Sequence, residues 1–519
     1  MGGAGALLAQ EGFRAPHIEY DALSPMLIVF GVACLGVLVD AFASRAVRRR
    51  VQPWLALAAL AAAFVAVVVI AGTREVAAEG AVAVDGPTLF LQGTILLLAI
   101  VSLLLFAEPA LDPGGSAFAA QASTTPGSAA ERAAVGAGLV TTEVYPLALF
   151  SVGGMLLFPA ANDLLTLFVA LEVLSLPLYL QCGLARRRRL LSQEAAVKYF
   201  LLGSFSSAFL LYGLALVYGY AGSLRLSTVA QALGGAGDDT LVLVGLALLA
   251  VGLLFKVSAV PFHSWTPDVY QGAPTPVTAF MAACTKVAAF GALIRVFYVA
   301  FDGLRWEWRP MMWAIAILTM VVGAVVAVTQ TDVKRMLAYS SVAHAGFLLT
   351  GVIATSRAGL SSTLFYLVAY GFTTVGAFAV VTLVRDADGE ATHLSRWAGL
   401  GRTSPVVAGM FALFLLALAG IPLTSGFTGK FAVFAAAAAG GAVPLVIVGV
   451  VTSAIAAFFY VRVIVLMYFQ DPAVDGPVVA APSALTSTTL AVGLAVTVVL
   501  GVLPQPVLEL ADRAALFVR

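Results

Sequence analysis

Four lysines of this 519-residue chain fall inside long apolar stretches: Lys198, Lys256, Lys286 and Lys430. An ammonium at hydrocarbon depth costs at least about 2.5–3.5 kcal/mol on insertion scales, so each needs a compensating reason. Lys198, four residues after Glu194 and near the start of its stretch, suits an ammonium snorkelling to the surface as well as a functional one. Lys256, Lys286 and Lys430 lie too far in to snorkel. Glu172, in "LTLFVALEVLSLPLY", is the matching anion. His344 lies about 18 Å along its span from Asp332 at 1.5 Å per residue, and His263 follows Pro261 by two residues. The chemistry open to this set is proton transfer. Imidazoles titrate near neutrality, and a carboxylate and an ammonium sharing a low-dielectric site titrate as a unit. Moving one of them resets the other's affinity for its proton. For both histidines a hydrogen-bonded packing role is the alternative, and Arg295 and Arg462 read as snorkelling or structural.

The elements that must position these groups are membrane helices. The chain is 61% hydrophobic and 11% charged, with a mean hydropathy of +1.01, whereas soluble domains carry about 25% charged residues. Apolar stretches long enough for about 30 Å of hydrocarbon fall near 23–43, 52–71, 87–107, 143–160, 163–182, 194–221, 240–272, 276–301, 309–330, 332–354, 360–384, 403–440, 443–469 and 484–507. The expected fold is all-α and polytopic, with about 14 transmembrane helices. Basic residues concentrate in alternate loops, at Arg45, Arg48, Arg49 and Arg50 and again in the run Arg186, Arg187, Arg188 and Arg189. That bias places these loops on the cytoplasmic side and both termini outside. The arginine run then reads as an orientation anchor.

Two stretches are too long for one straight helix: 403–440 would extend about 57 Å and 240–272 about 50 Å. Each contains a proline, in "SAVPFHSWT" around Pro261 and "LAGIPLTSG" around Pro422. These prolines deprive the Val257 and Leu418 carbonyls of their usual donors. Broken backbone at membrane depth is tolerated only where protein or a hydrated cavity surrounds it. "YFLLGSFSSAF" from Tyr199 and "YLVAYGFTTVG" from Tyr366 echo one another, as do the helix starts at Asp163 and Asp332. Spans four to eight therefore read as repeated by spans nine to thirteen, and an odd repeat must be inverted. The expected organisation is residues 1–142 (three helices and a flexible loop at 108–142), a first repeat at 143–301, a second at 309–469, and a last helix within 470–519.

Several classes are excluded or unsupported. A net charge of +1 gives no reason to expect nucleic acid. Cys34, Cys182 and Cys284 lie in apolar stretches without a Cys-x-x-Cys motif and suit small buried hydrophobes better than a disulfide or an iron–sulfur site. No cleavable signal is expected in residues 1–22. Nothing in the chain resembles a phosphate-binding loop or an electron carrier, so energy for moving protons must come from elsewhere.

"KVSAVPFHSWTPDVYQGAPTPVTAFMA", "NDLLTLFVALEVLSLPLY" and "RMLAYSSVAHAGFLL" together resemble the antiporter-like subunits of respiratory complex I, most closely the N branch of that family. The branches L and M differ after the proline, where this chain has Trp265-Thr266-Pro267-Asp268. The resemblance covers roughly residues 140–470 and implies two inverted five-helix repeats, broken helices seven and twelve, and one proton channel. It implies that Glu172 and Lys256 are a modulating pair, that Lys286 and His344 connect half-channels, that Lys430 is the terminal lysine, and that Lys198 is an additional one. It implies no cofactor in this subunit, because flavin, iron–sulfur clusters and quinone reduction belong to other subunits. Implied partners are the other membrane-arm subunits, including the sister subunit M and the small subunits near the quinone site, together with lipid in a bacterial inner membrane. The main alternative is an Mrp-type cation/proton antiporter subunit, and a third is a spacer whose buried charges only fix packing.

Overall fold

Helix ends in this chain are built by short polar residues placed just before apolar runs. In the computed structural model, which describes residues 18–109, 116–233, 239–387, 389–472 and 475–518, Asp85 accepts from the Thr88 amide, Asp163 from Thr166, and Asp332 from both Lys334 and Arg335. Each cap satisfies amides that hydrocarbon cannot. Residues 1–17, which hold most of the segment for which no signal is expected, lie outside the described residues.

The helices run in chain order as α1 (Tyr20–Phe42), α2 (Arg45–Val69), α3 (Gly86–Phe106), α4 (Ala129–Gly136), α5 (Val144–Leu157), α6 (Leu164–Cys182) and α7 (Arg189–Ala221). They continue as α8 (Leu226–Ala232), α9 (Thr240–Val257), α10 (Trp265–Gly272), α11 (Thr275–Phe280), α12 (Lys286–Arg295), α13 (Arg305–Val328) and α14 (Val333–Ile353). The last are α15 (Arg357–Leu383), α16 (Leu400–Thr403), α17 (Pro405–Ala419), α18 (Ser425–Ala439), α19 (Val443–Phe469), α20 (Ala484–Val502) and α21 (Gln505–Ala514). Among the described residues, 12 helices are long and apolar enough to cross a membrane. The expected spans not among them are 143–160, a shorter apolar helix, and 403–440, which is divided into α17 and α18.

Both long stretches break at their prolines. α9 ends at Ser258, whose φ of 66° is left-handed, and helix resumes at Trp265. α17 ends at Gly420 with φ 87°, and helix resumes at Ser425. Gly420 is needed twice. Its backbone conformation disfavours a side chain, and an added Cβ would sit 3.0 Å from the Lys430 side chain.

Burial sorts the helices into a centre and a rim. Thr275–Ala300, which comprises α11 and α12 joined and followed by π-helical turns, is buried along its whole apolar window, and α14 and α15 are nearly so. The rim helices α1, α2, α19 and α20 present mostly exposed apolar faces, as expected of helices solvated by lipid or by apolar partners.

Three expectations need correction or extension. Cys34 is exposed on the rim, while Cys182 and Cys284 are buried as expected. The 108–142 segment is not a plain loop: its described part carries α4 and docks, with Ala119 N donating to Leu184 O at 2.8 Å and Arg186 N to Ala117 O at 2.9 Å. The arginine run, expected to be only an anchor, also forms a clasp. Arg189 bonds Glu131 at 2.8 Å and holds that carboxyl below its ordinary range, and Arg188 reaches Thr392 at 2.9 Å. The bundle is helical as expected, and two small antiparallel sheets lie in its loops: β1 (Glu75–Ala77) with β2 (Val82–Val84), and β3 (Val384–Asp386) between β4 (Gly389–Glu390) and β5 (Val478–Val479).

Candidate proton-transfer site

Three of the expected lysines and the polar groups around them are buried in otherwise apolar packing. Lys256, in the last turn of α9, is 3% exposed. Its Nζ lies 3.4 Å from the Tyr199 hydroxyl, 5.1 Å from the centre of that ring and 5.6 Å from the centre of Tyr179. Tyr199 stacks on Trp265 at 4.6 Å, and the Trp265 indole donates to Phe255 O at 3.0 Å. The residue that restarts the broken helix thus braces the tyrosine beside the lysine.

Lys286 begins α12, immediately after the π-helical turn Met281–Thr285. Its Nζ donates to Ser341 O and Ser341 Oγ, both at 2.6 Å. Tyr370 donates to the same Ser341 Oγ at 2.8 Å, and its ring lies 5.2 Å from that of His344. His344 is bonded through Nδ1 to the Tyr366 hydroxyl at 2.7 Å and lies 3.4 Å through Nε2 from the Tyr460 hydroxyl. Tyr460 is bonded in turn to Ser340. Lys286, Ser341, Tyr370, His344, Tyr366 and Tyr460 therefore form one cluster.

Lys430 lies on α18, 5% exposed. It donates to Leu418 O and Ala419 O, each at 2.9 Å, and to Ser453 Oγ at 3.0 Å. The Leu418 carbonyl is the one deprived of its helical donor by Pro422, so the ammonium fills the gap left by the break. An ammonium has three donors. Lys430 places all three, Lys286 bonds two atoms of one residue, and Lys256 has a single long contact with a hydroxyl. Replacing Lys430 by Met is expected to leave the buried Leu418 carbonyl without a donor and Ala419 O with only the Ser453 hydroxyl at 3.4 Å, at about 1–3 kcal/mol for the stranded group. A lower thermal midpoint of the purified protein would register that loss, and an unchanged midpoint would show the carbonyl is satisfied otherwise.

Not every expected residue is among these buried groups. Glu172 and Lys256 form no salt bridge. Glu172 is half-buried on α6, its buried Oε1 lacks a hydrogen-bond partner, and it interacts with Lys256 and Tyr179 only through space. Lys198 has a side chain 42% exposed and paired with Glu194 at 2.7 Å and Asp268 at 2.8 Å. Asp268 also holds Arg335 at 2.6 Å. His263 stands in the α9–α10 break with its ring 6.3 Å from Tyr339, and its buried Nδ1 has no partner.

Sequence reasoning passed over several participants. Tyr199 and Tyr366 head the two echoing segments, and that was the available signal: one stands beside Lys256 and the other beside His344. Ser341, Tyr370 and Tyr460 gave no signal of their own. Lys334, outside the four lysines singled out, is 3% exposed and donates to Ala273 O at 2.7 Å. Arg295, set aside, is fully buried and paired with Asp85 at 2.7 Å.

A helical membrane bundle with two interrupted helices and lysines bonded at its centre defines an antiporter-like membrane subunit. Residues 161–456 match the family model described as NADH:quinone oxidoreductase/Mrp antiporter, transmembrane. The chain is 68% identical to NADH-quinone oxidoreductase subunit N of Rhodococcus opacus, covering 97% of each. A chain of respiratory complex I from Thermus thermophilus with bound aureothin superposes at a TM-score of 0.75 and 34% identity, covering 94% of this chain and 99% of that one. A chain of the Mrp complex from Dietzia sp. superposes at 0.78 with 23% identity, covering 96% and 97%, and that likeness concerns the fold alone. The chain belongs to the NADH:quinone oxidoreductase/Mrp antiporter family, within its NADH-quinone oxidoreductase subunit N group.

Proposed function

We propose that the chain is a proton-translocating, non-redox subunit in the membrane arm of NADH:quinone oxidoreductase, and that the buried Glu/Lys/His line carries the protons. The observation that carries the reading is the cluster on the three most buried helices, in which Lys286 and Tyr370 share Ser341 by hydrogen bonds and the Tyr370 ring packs against His344. Quinone reduction in other subunits shifts charge along the arm and moves Glu172 relative to Lys256. Separation weakens the hold on the Lys256 proton, which passes to Lys286 and onward by His344 to Lys430. Reprotonation from the opposite side resets the lysine. Moving a charge against 100 mV takes about 2.3 kcal/mol, so the step needs that external drive. The absence of a Glu172–Lys256 salt bridge suits a pair that opens and closes. Lys198 and His263 contribute at the edge of the line. The subunit itself holds no cofactor, and its neighbours are the sister subunit M and the small subunits nearest the quinone site. Both termini lie outside a bacterial inner membrane, and the Asp163 and Asp332 caps, each in an isolated strand bridge with a later loop, support the two inverted repeats.

The matching family model is described for Mrp antiporters as well as for NADH:quinone oxidoreductase, which gives a second reading, a cation/proton antiporter subunit. Deleting the chain from its host separates the two. The proposed function expects the chain to co-purify with dehydrogenase subunits and its deletion to abolish NADH-driven acidification of inverted vesicles. Intact NADH-driven acidification with lost sodium tolerance would establish the antiporter reading instead.

A further inference from the structure

α2 begins with four arginines in six residues, Arg45, Arg48, Arg49 and Arg50, with no acidic residue in its first turn. Arg48 donates to Asp40 O at 2.8 Å. Arg45, Arg49 and Arg50 make no hydrogen bond or ion pair among the described residues. Three exposed guanidiniums within six residues make a positive patch whose chemistry suits an anion. They line a pair of adjoining cavities of about 650 and 720 Å³ that meet at Ala46 and Arg49. The first has Gln121, Thr141 and one acid, Glu143, in its wall beside Leu147 and Leu184. The second carries an apolar wall of Trp54, Leu57, Phe106 and Leu485 beside Arg49 and Arg50. Trp54 is 65% exposed, and an exposed tryptophan beside arginines at a helix end marks the headgroup level of a bilayer.

We propose that this groove binds an anionic phospholipid, with its phosphodiester held by Arg45, Arg49 and Arg50 and an acyl chain laid along Trp54, Leu57 and Leu485. The charge selects the phosphate, and the apolar continuation selects a lipid over free phosphate or an acidic peptide. A zwitterionic lipid would bring its own cation toward the arginines and bind less well. Unlike the proton line, this site needs only that the chain be in a membrane.

The test is photocrosslinking of the purified complex in liposomes carrying phosphatidylglycerol with a diazirine on one acyl chain. Peptide mapping is expected to place the label within residues 45–60. Unlabelled phosphatidylglycerol should compete, while phosphatidylcholine and inorganic phosphate should not. The combined Arg45→Gln, Arg49→Gln and Arg50→Gln chain should lose more than about tenfold of the labelling, each basic residue near the surface being worth roughly fivefold. The matching Arg→Lys chain should keep most of it, which separates charge from folding. Equal labelling by a phosphatidylcholine probe, or full labelling of the Gln chain, would overturn the proposal. Labelling of the isolated chain but not of the complex would also overturn it, because a neighbouring subunit would then fill the groove.

Discussion

An Arg295→Met chain is expected to be nearly absent from assembled membranes. Arg295 and Asp85 are both fully buried, 2.7 Å apart. The guanidinium also donates to Pro159 O at 2.5 Å and Thr88 Oγ1 at 2.7 Å. The C-terminal strand of chain closes over them, with Phe517 4.9 Å from the guanidinium and Val518 N donating to Asp85 at 3.0 Å. Four separate elements therefore meet at one ion pair. Removing one partner of a buried pair costs about 3–5 kcal/mol, because the other charge stays buried. That is a large fraction of the roughly 5–15 kcal/mol that stabilises a typical domain. The check is the amount of assembled complex on a native gel. The Asp85→Asn, Arg295→Met double chain should recover part of the loss, since it strands no charge. A single variant that assembles at the normal level would show that the pair contributes little.

The second large effect is expected from Lys256→Met, which should assemble yet slow quinone reduction at least about tenfold, equivalent to roughly 1.4 kcal/mol on the rate-limiting step. Met matches the length of the aliphatic stem and suits the Tyr179, Tyr199 and Trp265 surroundings. Only one hydrogen bond, at 3.4 Å, is lost, so stability should change little. Function should change much more. Without an ammonium at the break, movement of Glu172 has nothing to act on and the charge shift from the quinone site is not relayed. The assay is the NADH:quinone reductase rate normalised to assembled complex. An unchanged rate would assign Lys256 to packing.

How far the sequence carried this account depends on what each signal measures. Hydropathy reports depth, so the spans were legible, and proline reports backbone interruption, so both breaks were. Lysine is costly enough in hydrocarbon that Lys256, Lys286 and Lys430 stood out. Depth says nothing about which way a side chain faces when every face of a helix is apolar. Lys198 lay at a suitable position yet is partly exposed and paired with Glu194 and Asp268, and His263 stands in the helix break with its Nδ1 unpartnered. The same ambiguity hid Arg295, whose partner Asp85 lies in the loop before α3. Tyr370 and Tyr460 were invisible for another reason. Tyrosine is ordinary in membrane proteins, and its role shows only when its hydroxyl is seen on Ser341 or Ser340. The 116–142 segment looked structureless because its own residues are small, and the groups that dock it, Leu184, Arg186 and Arg189, lie far along the chain.

The central claim is that a proton passes through the lysine line, and Lys256 is where it is most exposed to test. The measurement is the number of protons moved per NADH oxidised by inverted vesicles, comparing the native chain with Lys256→Met at equal assembly. The account predicts that the ratio falls together with the reductase rate. A native ratio in the Lys256→Met complex would contradict it, and would place the proton path elsewhere in the membrane arm.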